Sequence, residues 1–155
     1  MYFIDNTEFL DISKKFEEGQ MCIGIIMIDS YEELVQNMGQ EEKVQVVTEI
    51  ESKIYDWVSK VDGIALKTEA NRITFVFEEK YLDKIIENKF DILEETKNTE
   101  TEGVIPTTLS IAICAEGETN AEKFKATIEA MDLVLGRGGD QAVVRRKGKS
   151  EFYGG

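Results

Sequence analysis

A chain of 155 residues, 42% of them hydrophobic, is the size of one domain and long enough to bury roughly two thirds of the surface its unfolded form exposes. A net charge of −13 argues against general nucleic-acid binding, which needs a basic surface, and the absence of histidine removes imidazole acid–base chemistry and the commonest zinc ligand. No apolar run approaches the ~20 residues of a membrane span, so neither a spanning helix nor a signal peptide is expected.

Asp5 to Glu18 has the pattern of a leading helix. CIGIIMID, Cys22 to Asp29, is an apolar run of strand length, too continuous for a half-exposed strand, and reads as a central one. Cys22 here and Cys114 in LSIAICA read as small buried hydrophobes, with no disulfide expected. Ser30 with Glu33 three residues on is a capping-box pattern, which predicts a short helix through Asn37. Gly39 breaks the chain. From Glu41 a longer helix is predicted, its buried face made by Val44, Val47, Ile50, Ile54, Trp57, Val58 and Val61, with Gly63 ending it. GIALKT and RITFVFE are strand-like and separated only by Glu69, Ala70 and Asn71, which predicts a hairpin. Tyr81 to Lys97 reads as one helix with Leu82, Ile85, Ile86, Phe90 and Leu93 on a single face. Pro106 precedes another buried strand, TLSIAIC, and Asn120 to Leu135 is again helical through Phe124, Ile128, Met131 and Leu135. The tail AVVRRKGKSEFY turns at Lys147, Gly148 and Lys149 as a final hairpin.

Charge is unevenly spread. Acidic residues crowd Glu78 to Glu102, whereas Arg137, Arg145, Arg146, Lys147 and Lys149 gather near the end. These runs read first as a solvated helix face and a basic hairpin, with a phosphate-binding patch as the alternative. In LGRGGD, Leu135 to Asp140, the glycines fall just past a predicted helix, where left-handed residues close the last turn as a C-cap. The order of elements is that of an α+β domain, a central and mainly antiparallel sheet flanked by helices.

That order and several strings resemble the GGDEF domain, the palm-like fold with a ferredoxin-like core found in diguanylate cyclases. In that family the first strand runs into D-x-D-x-F-K-x-I-N-D-x-x-G-H-x-x-G-D. Setting Asp29 on the second aspartate of D-x-D puts Tyr31 on the Phe, Leu34 on the Ile and Gly39 on the Gly without a gap. TLSIA, Thr108 to Ala112, is similar to the family's late T-V-S-I-G strand. The resemblance places the signature between the second and third strands, where Glu69, Ala70, Asn71, Arg72 and Ile73 keep none of the five letters. The terminal GGD is thus a helix stop and not the signature.

MDLVLGRGGDQAVV, Met131 to Val144, followed by FYGG, is similar to a join found in a narrower group. These are bacterial membrane-anchored cyclic-di-AMP phosphodiesterases with a PAS domain, a degenerate GGDEF domain, and DHH and DHHA1 domains. YFIDNTE at the start fits the connection from the PAS side. The resemblance implies a lead-in from an upstream sensor over 1–20, a degenerate GGDEF domain over 21–146, and a C-terminal strand and linker over 147–155 leading toward a DHH domain. It implies a cytoplasmic domain of a membrane-anchored protein, partnered by its PAS and DHH/DHHA1 neighbours and by a second copy in a homodimer. Nucleic acid and direct membrane insertion are not expected.

Diguanylate cyclases hold two metal ions with the first aspartate of D-x-D and a signature carboxylate, and those ions activate the attacking hydroxyl and bind the triphosphate. Here Met27 stands at the first aspartate, and a thioether is a poor ligand for magnesium. Asn71 and Arg72 replace the Asp-Glu pair, Val35 and Val44 replace the guanine-reading Asn and Asp, and Glu32 replaces the Lys. The stretch Lys60 to Gly63 carries no R-x-x-D inhibitory motif. Asp29 and Glu69 remain as a candidate Mg or Mn pair, with Asp29, Ser30, Tyr31, Asn71 and Arg72 as candidate nucleotide contacts. The plainer readings are a helix cap for Asp29, a solvated turn residue for Glu69 and an exposed hairpin arginine for Arg72. Two functions follow from the resemblance: a regulatory, signal-transmitting module of a cyclic-di-AMP phosphodiesterase, or weak metal-dependent ATP binding with slow hydrolysis. An active cyclase is disfavoured by the lost ligands.

Overall fold

A computed structural model describes residues 21–36, 38–97 and 107–154, so the leading helix expected over Asp5–Glu18 lies outside the described residues, as does Pro106. Six strands form one sheet in the order β2-β3-β1-β4-β5-β6: β1 Met21–Ile28, β2 Ile64–Glu69, β3 Arg72–Glu78, β4 Leu109–Cys114, β5 Gln141–Arg146 and β6 Lys149–Gly154. Every neighbouring pair is antiparallel except β4 with β5, as the helical crossing between those two strands requires. The two longest continuous apolar runs, β1 and β4, lie side by side in the middle. Their residues are buried on both faces, which is why neither run alternates.

Five helices are described: α1 Tyr31–Gln36, α2 Gln40–Ser59, α3 Leu82–Glu87, α4 Ile92–Lys97 and α5 Asn120–Gly136, with a 3₁₀ turn at Glu79–Tyr81. One face of the sheet packs on α2, α3 and α4 through Cys22, Ile26 and Ile28 of β1, Phe75 and Phe77 of β3, and Ile50, Ile54, Trp57 and Phe90. The other face packs on α5, whose Phe124, Ala130, Met131 and Val134 meet Met21, Ile23 and Ile25 of β1 and Val143 of β5. Odd and even residues of β1 thus serve opposite layers, the period-two rule of a strand. Cys22 and Cys114 are both buried free thiols.

Four local expectations are corrected. The helix expected from Tyr81 to Lys97 is broken: Lys89 and Phe90 have φ of 53° and 55°, and the Phe90 amide closes the turn on the Ile85 carbonyl at 3.4 Å. That left-handed break turns the Phe90 ring into the core, 6.2 Å from Trp57 and 5.3 Å from Tyr153. Val44 is 55% exposed, because it stands about 100° around α2 from the centre of a stripe made by Val46, Val47, Ile50, Ile54, Trp57 and Val58. Leu135 is likewise exposed, and Val134 is the buried residue of that turn. Ser30 does not adopt the extended backbone of a capping box; its φ is 52°, the left-handed region.

Gly63 follows a left-handed Asp62 at φ 52°, and its amide bonds the Val58 carbonyl at 3.1 Å, so the α2 stop falls where expected with Asp62 taking the special conformation. The final hairpin turns at Lys147 and Gly148, with φ of 53° and 73°, the mirror-image turn that matches strand twist.

Candidate functional site

Asp29 is the first residue beyond β1, on the face that carries Met27 and packs toward α5. Its backbone is tied on both sides. The Asp29 amide donates to the Thr108 carbonyl at 3.0 Å, and the Ile28 amide donates to the Asn71 carbonyl at 2.9 Å, so β1 ends between the β2–β3 hairpin tip and the start of β4. Its carboxylate does not cap α1. Thr108 Oγ1 donates to Oδ2 at 2.7 Å, Ser110 Oγ donates to Oδ1 at 2.6 Å, and the Asp140 amide donates to Oδ2 at 3.0 Å. Thr108 and Ser110 reach the same carboxylate because residues two apart on a strand share a face.

The third donor comes from the GGD string. Gly138, Gly139 and Asp140 have φ of 101°, 74° and 54°, and the Gly139 amide bonds the Val134 carbonyl at 3.0 Å, closing α5 as a C-cap. The string is a helix stop, as its position predicts. It also lies against Asp29: a Cβ at Gly139 would sit 2.9 Å from both Asp29 Oδ2 and Ser110 Oγ. A side chain there would have to push one of these groups aside, in a backbone conformation that favours glycine. Asp140 in turn pairs with Lys97 at 2.8 Å, and the salt bridge holds that ammonium above the usual lysine range.

Above Asp29 opens a cavity of about 330 Å³, lined by Met27, Ile28, Asp29, Ser30, Tyr31, Glu32, Glu33, Asn71 and Leu135. Four of the five candidate nucleotide contacts thus share one concavity. Arg72 is not on it. The Arg72 guanidinium pairs with Glu69 at 3.0 Å across the two-residue turn and donates from Nε to Thr68 Oγ1 at 3.3 Å. Glu69 is 56% exposed and bound to that arginine, outside the cavity lining. Ala70 is exposed at the tip, and Ile73 is buried in the core beneath it. Met27, where the cyclase pattern has its first aspartate, pairs in register with Arg72 on one side and Ser110 on the other.

These residues do not fit the paired magnesium or manganese ions of a cyclase. Asp29 Oδ2 already accepts two hydrogen bonds and Oδ1 one, and Glu69 is turned to Arg72 outside the cavity. Among the described residues no three acidic or cysteine side chains converge as a metal cluster. The partners of Asp29 were not foreseen from sequence. The usable signal was the pair of hydroxyls, Thr108 and Ser110, spaced two apart on an otherwise apolar strand.

This architecture is that of GGDEF domains. It superposes on the GGDEF domain of DgcB from Caulobacter crescentus, solved in complex with c-di-GMP, with a TM-score of 0.75 at 14% identity over 92% of this chain and 88% of that one. The active GGEEF domain of a diguanylate cyclase from Vibrio cholerae gives 0.72 at 10% identity, covering 94% of this chain and 99% of the other. Residues 26–152 match the family described as cyclic-di-AMP phosphodiesterase GdpP-like, GGDEF domain, and the chain belongs to that family. Among curated relatives it is 31% identical to the cyclic-di-AMP phosphodiesterase GdpP of Geobacillus thermodenitrificans, over 100% of this chain and 24% of the relative. It is 30% identical to the cyclic-di-AMP phosphodiesterase PdeA of Listeria monocytogenes, with the same coverage. The chain spans about a quarter of the length of these relatives.

Proposed function

We propose that this domain is a catalytically degenerate GGDEF module that transmits signals within a membrane-anchored cyclic-di-AMP phosphodiesterase, between a PAS sensor and the DHH/DHHA1 hydrolase, and that it is not a diguanylate cyclase. The observation that carries the reading is the state of Asp29. The remaining carboxylate of the D-x-D position is held by two hydroxyls and an amide, and Met27 beside it is no ligand for a hard cation. Loss of hard ligands and of base-reading side chains (Val35, Val44) removes recognition together with chemistry. The relatives, cyclic-di-AMP phosphodiesterases about four times the length of this chain, support a larger parent with neighbouring domains on the same polypeptide. The test is incubation of the purified domain with GTP and manganese. No cyclic-di-GMP is expected, and its appearance would overturn the reading.

The cavity favours a second reading. A concavity of about 330 Å³ with Asn71, Ser30 and Tyr31 on its wall is within the size range of small-molecule sites. On this reading the domain binds ATP weakly there, with magnesium or manganese accompanying the nucleotide and slow hydrolysis at most. Calorimetric titration with ATP and GTP, with and without the metal, separates it from a purely regulatory role.

A further inference from the structure

We propose that Asp29 is a clasp that couples the wall of the cavity to the turn leading out of α5, so that the two change conformation together. This rests on the regulatory reading in one respect, that the domain passes a conformational change toward its C-terminal end. The clasp itself is a matter of geometry.

One carboxylate receives donors from the residue leading into β4 (Thr108 at 2.7 Å), from β4 itself (Ser110 at 2.6 Å) and from the residue just before β5 (the Asp140 amide at 3.0 Å). Charge-assisted bonds of this length are the stronger kind. Ser110 is fully buried, so its bond to Asp29 is not in competition with water. On either side of the carboxylate the backbone is held in a sparsely populated conformation by a residue other than glycine. Ser30, next in sequence to Asp29 and on the cavity wall, has φ 52°, and Asp140, donor to the same carboxylate, has φ 54°. Such conformations persist only where the surroundings over-determine them. Here the Asp29 side chain bonds the Asp140 amide directly and is joined to Ser30 through the next peptide bond, so it stands between the two. Loss of the Asp29 bonds frees Ser30 and Asp140 to return to right-handed values, which moves the cavity wall at one end and the start of β5 at the other. β5 continues directly into the β6 hairpin, the C-terminal end of the described chain.

The direction of coupling is reciprocal. Whatever draws Asp29 toward the cavity loosens the GGD turn, and whatever distorts that turn disturbs Ser30 and Tyr31. Gly139 is the sensitive point, because a methyl group there meets Asp29 and Ser110 at 2.9 Å in a backbone conformation of φ 74°.

The experiment is backbone NMR and amide hydrogen exchange on the parent chain, Asp29→Asn, Ser110→Ala and Gly139→Ala. In Asp29→Asn the Asp140 amide should exchange at least tenfold faster while the β1–β3 amides around Ile25 and Thr74 keep their protection. The Cα shifts of Ser30 and Asp140 should move together toward right-handed values. Gly139→Ala should shift the Ser30 and Tyr31 resonances although neither is its sequence neighbour. Unchanged Asp140 protection in Asp29→Asn, or a Gly139→Ala perturbation confined to residues 136–142, would refute the clasp. If Gly139→Ala fails to fold, Ser110→Ala carries the same test, and unmoved Ser30 and Asp140 shifts there also refute it. Cyclic-di-GMP synthesis by the parent chain, measured separately, bears on the regulatory reading and leaves the exchange result standing.

Discussion

Gly24 in the middle of β1 shows how a single residue shapes the core. It lies opposite Phe75 in the β1–β3 register, and a Cβ there would fall 2.1 Å from the Phe75 ring. The ring lies across the bare glycine, stacks on Phe77 at 5.8 Å and receives Trp57 edge-on at 5.7 Å. Gly24→Ala therefore overpacks a filled layer, and we expect it to cost about 1–3 kcal/mol, read from the urea midpoint. Gly39→Ala, with open space around its Cβ position, should cost far less and serves as the control. The cysteines give a second prediction. Burial, helped by the Glu79 charge, pushes the Cys22 thiol up to about 12, and burial raises Cys114 in the same direction. At pH 8 roughly one Cys22 in ten thousand is thiolate, and both groups are sealed from reagent. The folded domain should leave Ellman's reagent unreacted, whereas the unfolded chain should release two equivalents. Release from the folded form at the unfolded rate would show the strands to be open.

At the scale of elements, the terminal hairpin is fastened by Glu116, in the connection between β4 and α5. The Gly148 amide donates to Glu116 Oε2 at 2.7 Å and Arg145 Nε to Oε1 at 2.9 Å, and these bonds, the Gly148 amide first, hold the carboxyl below its ordinary range. A depressed carboxylate contributes stability above the unfolded-state value and loses it as pH falls through the folded value, here below 4.5. Glu116→Gln should thus destabilise the domain at pH 7, by up to about 1 kcal/mol for a contact this open to solvent, and the difference should shrink as pH falls below 4.5 and through the folded value. A difference that does not change from pH 7 down to the acid limit of the folded state would mean that the carboxylate's charge contributes nothing. Elements of this kind mark where sequence reading succeeds and fails. β1 and β4 were legible because they are buried on both faces and hence continuously apolar, and the two hairpins because only two-residue turns separate their strands. The exposure of Val44 and Leu135 was not, since both stand off the buried stripe by angles that a run of apolar residues does not reveal. The break at Lys89–Phe90 was hidden because Phe90 keeps helical spacing while its ring answers to Trp57 and Tyr153, which are remote in sequence. The candidate site divides likewise: Asp29, Ser30 and Tyr31 share the cavity because they follow one another at a strand end that the sequence shows, whereas the bonds of Asp29 to Thr108, Ser110 and Asp140 join residues about 80 to 110 apart.

For the molecule as a whole, charge sets the ceiling on any nucleotide affinity. The chain carries −13, and three of the nine residues lining the cavity, Asp29, Glu32 and Glu33, are acidic. Arg72, the nearest candidate for a phosphate contact, is paired with Glu69. A triphosphate entering the cavity meets repulsion from its walls and from the field of the whole domain. A divalent ion travelling with the nucleotide offsets part of that, but finds Asp29 already hydrogen-bonded on both oxygens. We therefore expect ATP to bind at about 100 μM or weaker, no better than about −5.5 kcal/mol. Salt should act in the unusual direction. Because the long-range field repels the ligand, raising sodium chloride from about 20 to 200 mM screens that repulsion, and affinity should hold steady or rise slightly. A site built on basic side chains would lose affinity over the same range. Uncharged adenosine should bind at least as well as ATP without metal, and ATP should gain more from magnesium than adenosine does. Calorimetry at the two salt concentrations decides the matter, since low-micromolar ATP binding that weakens with salt would place a cationic phosphate site somewhere on this domain and transfer the argument to it.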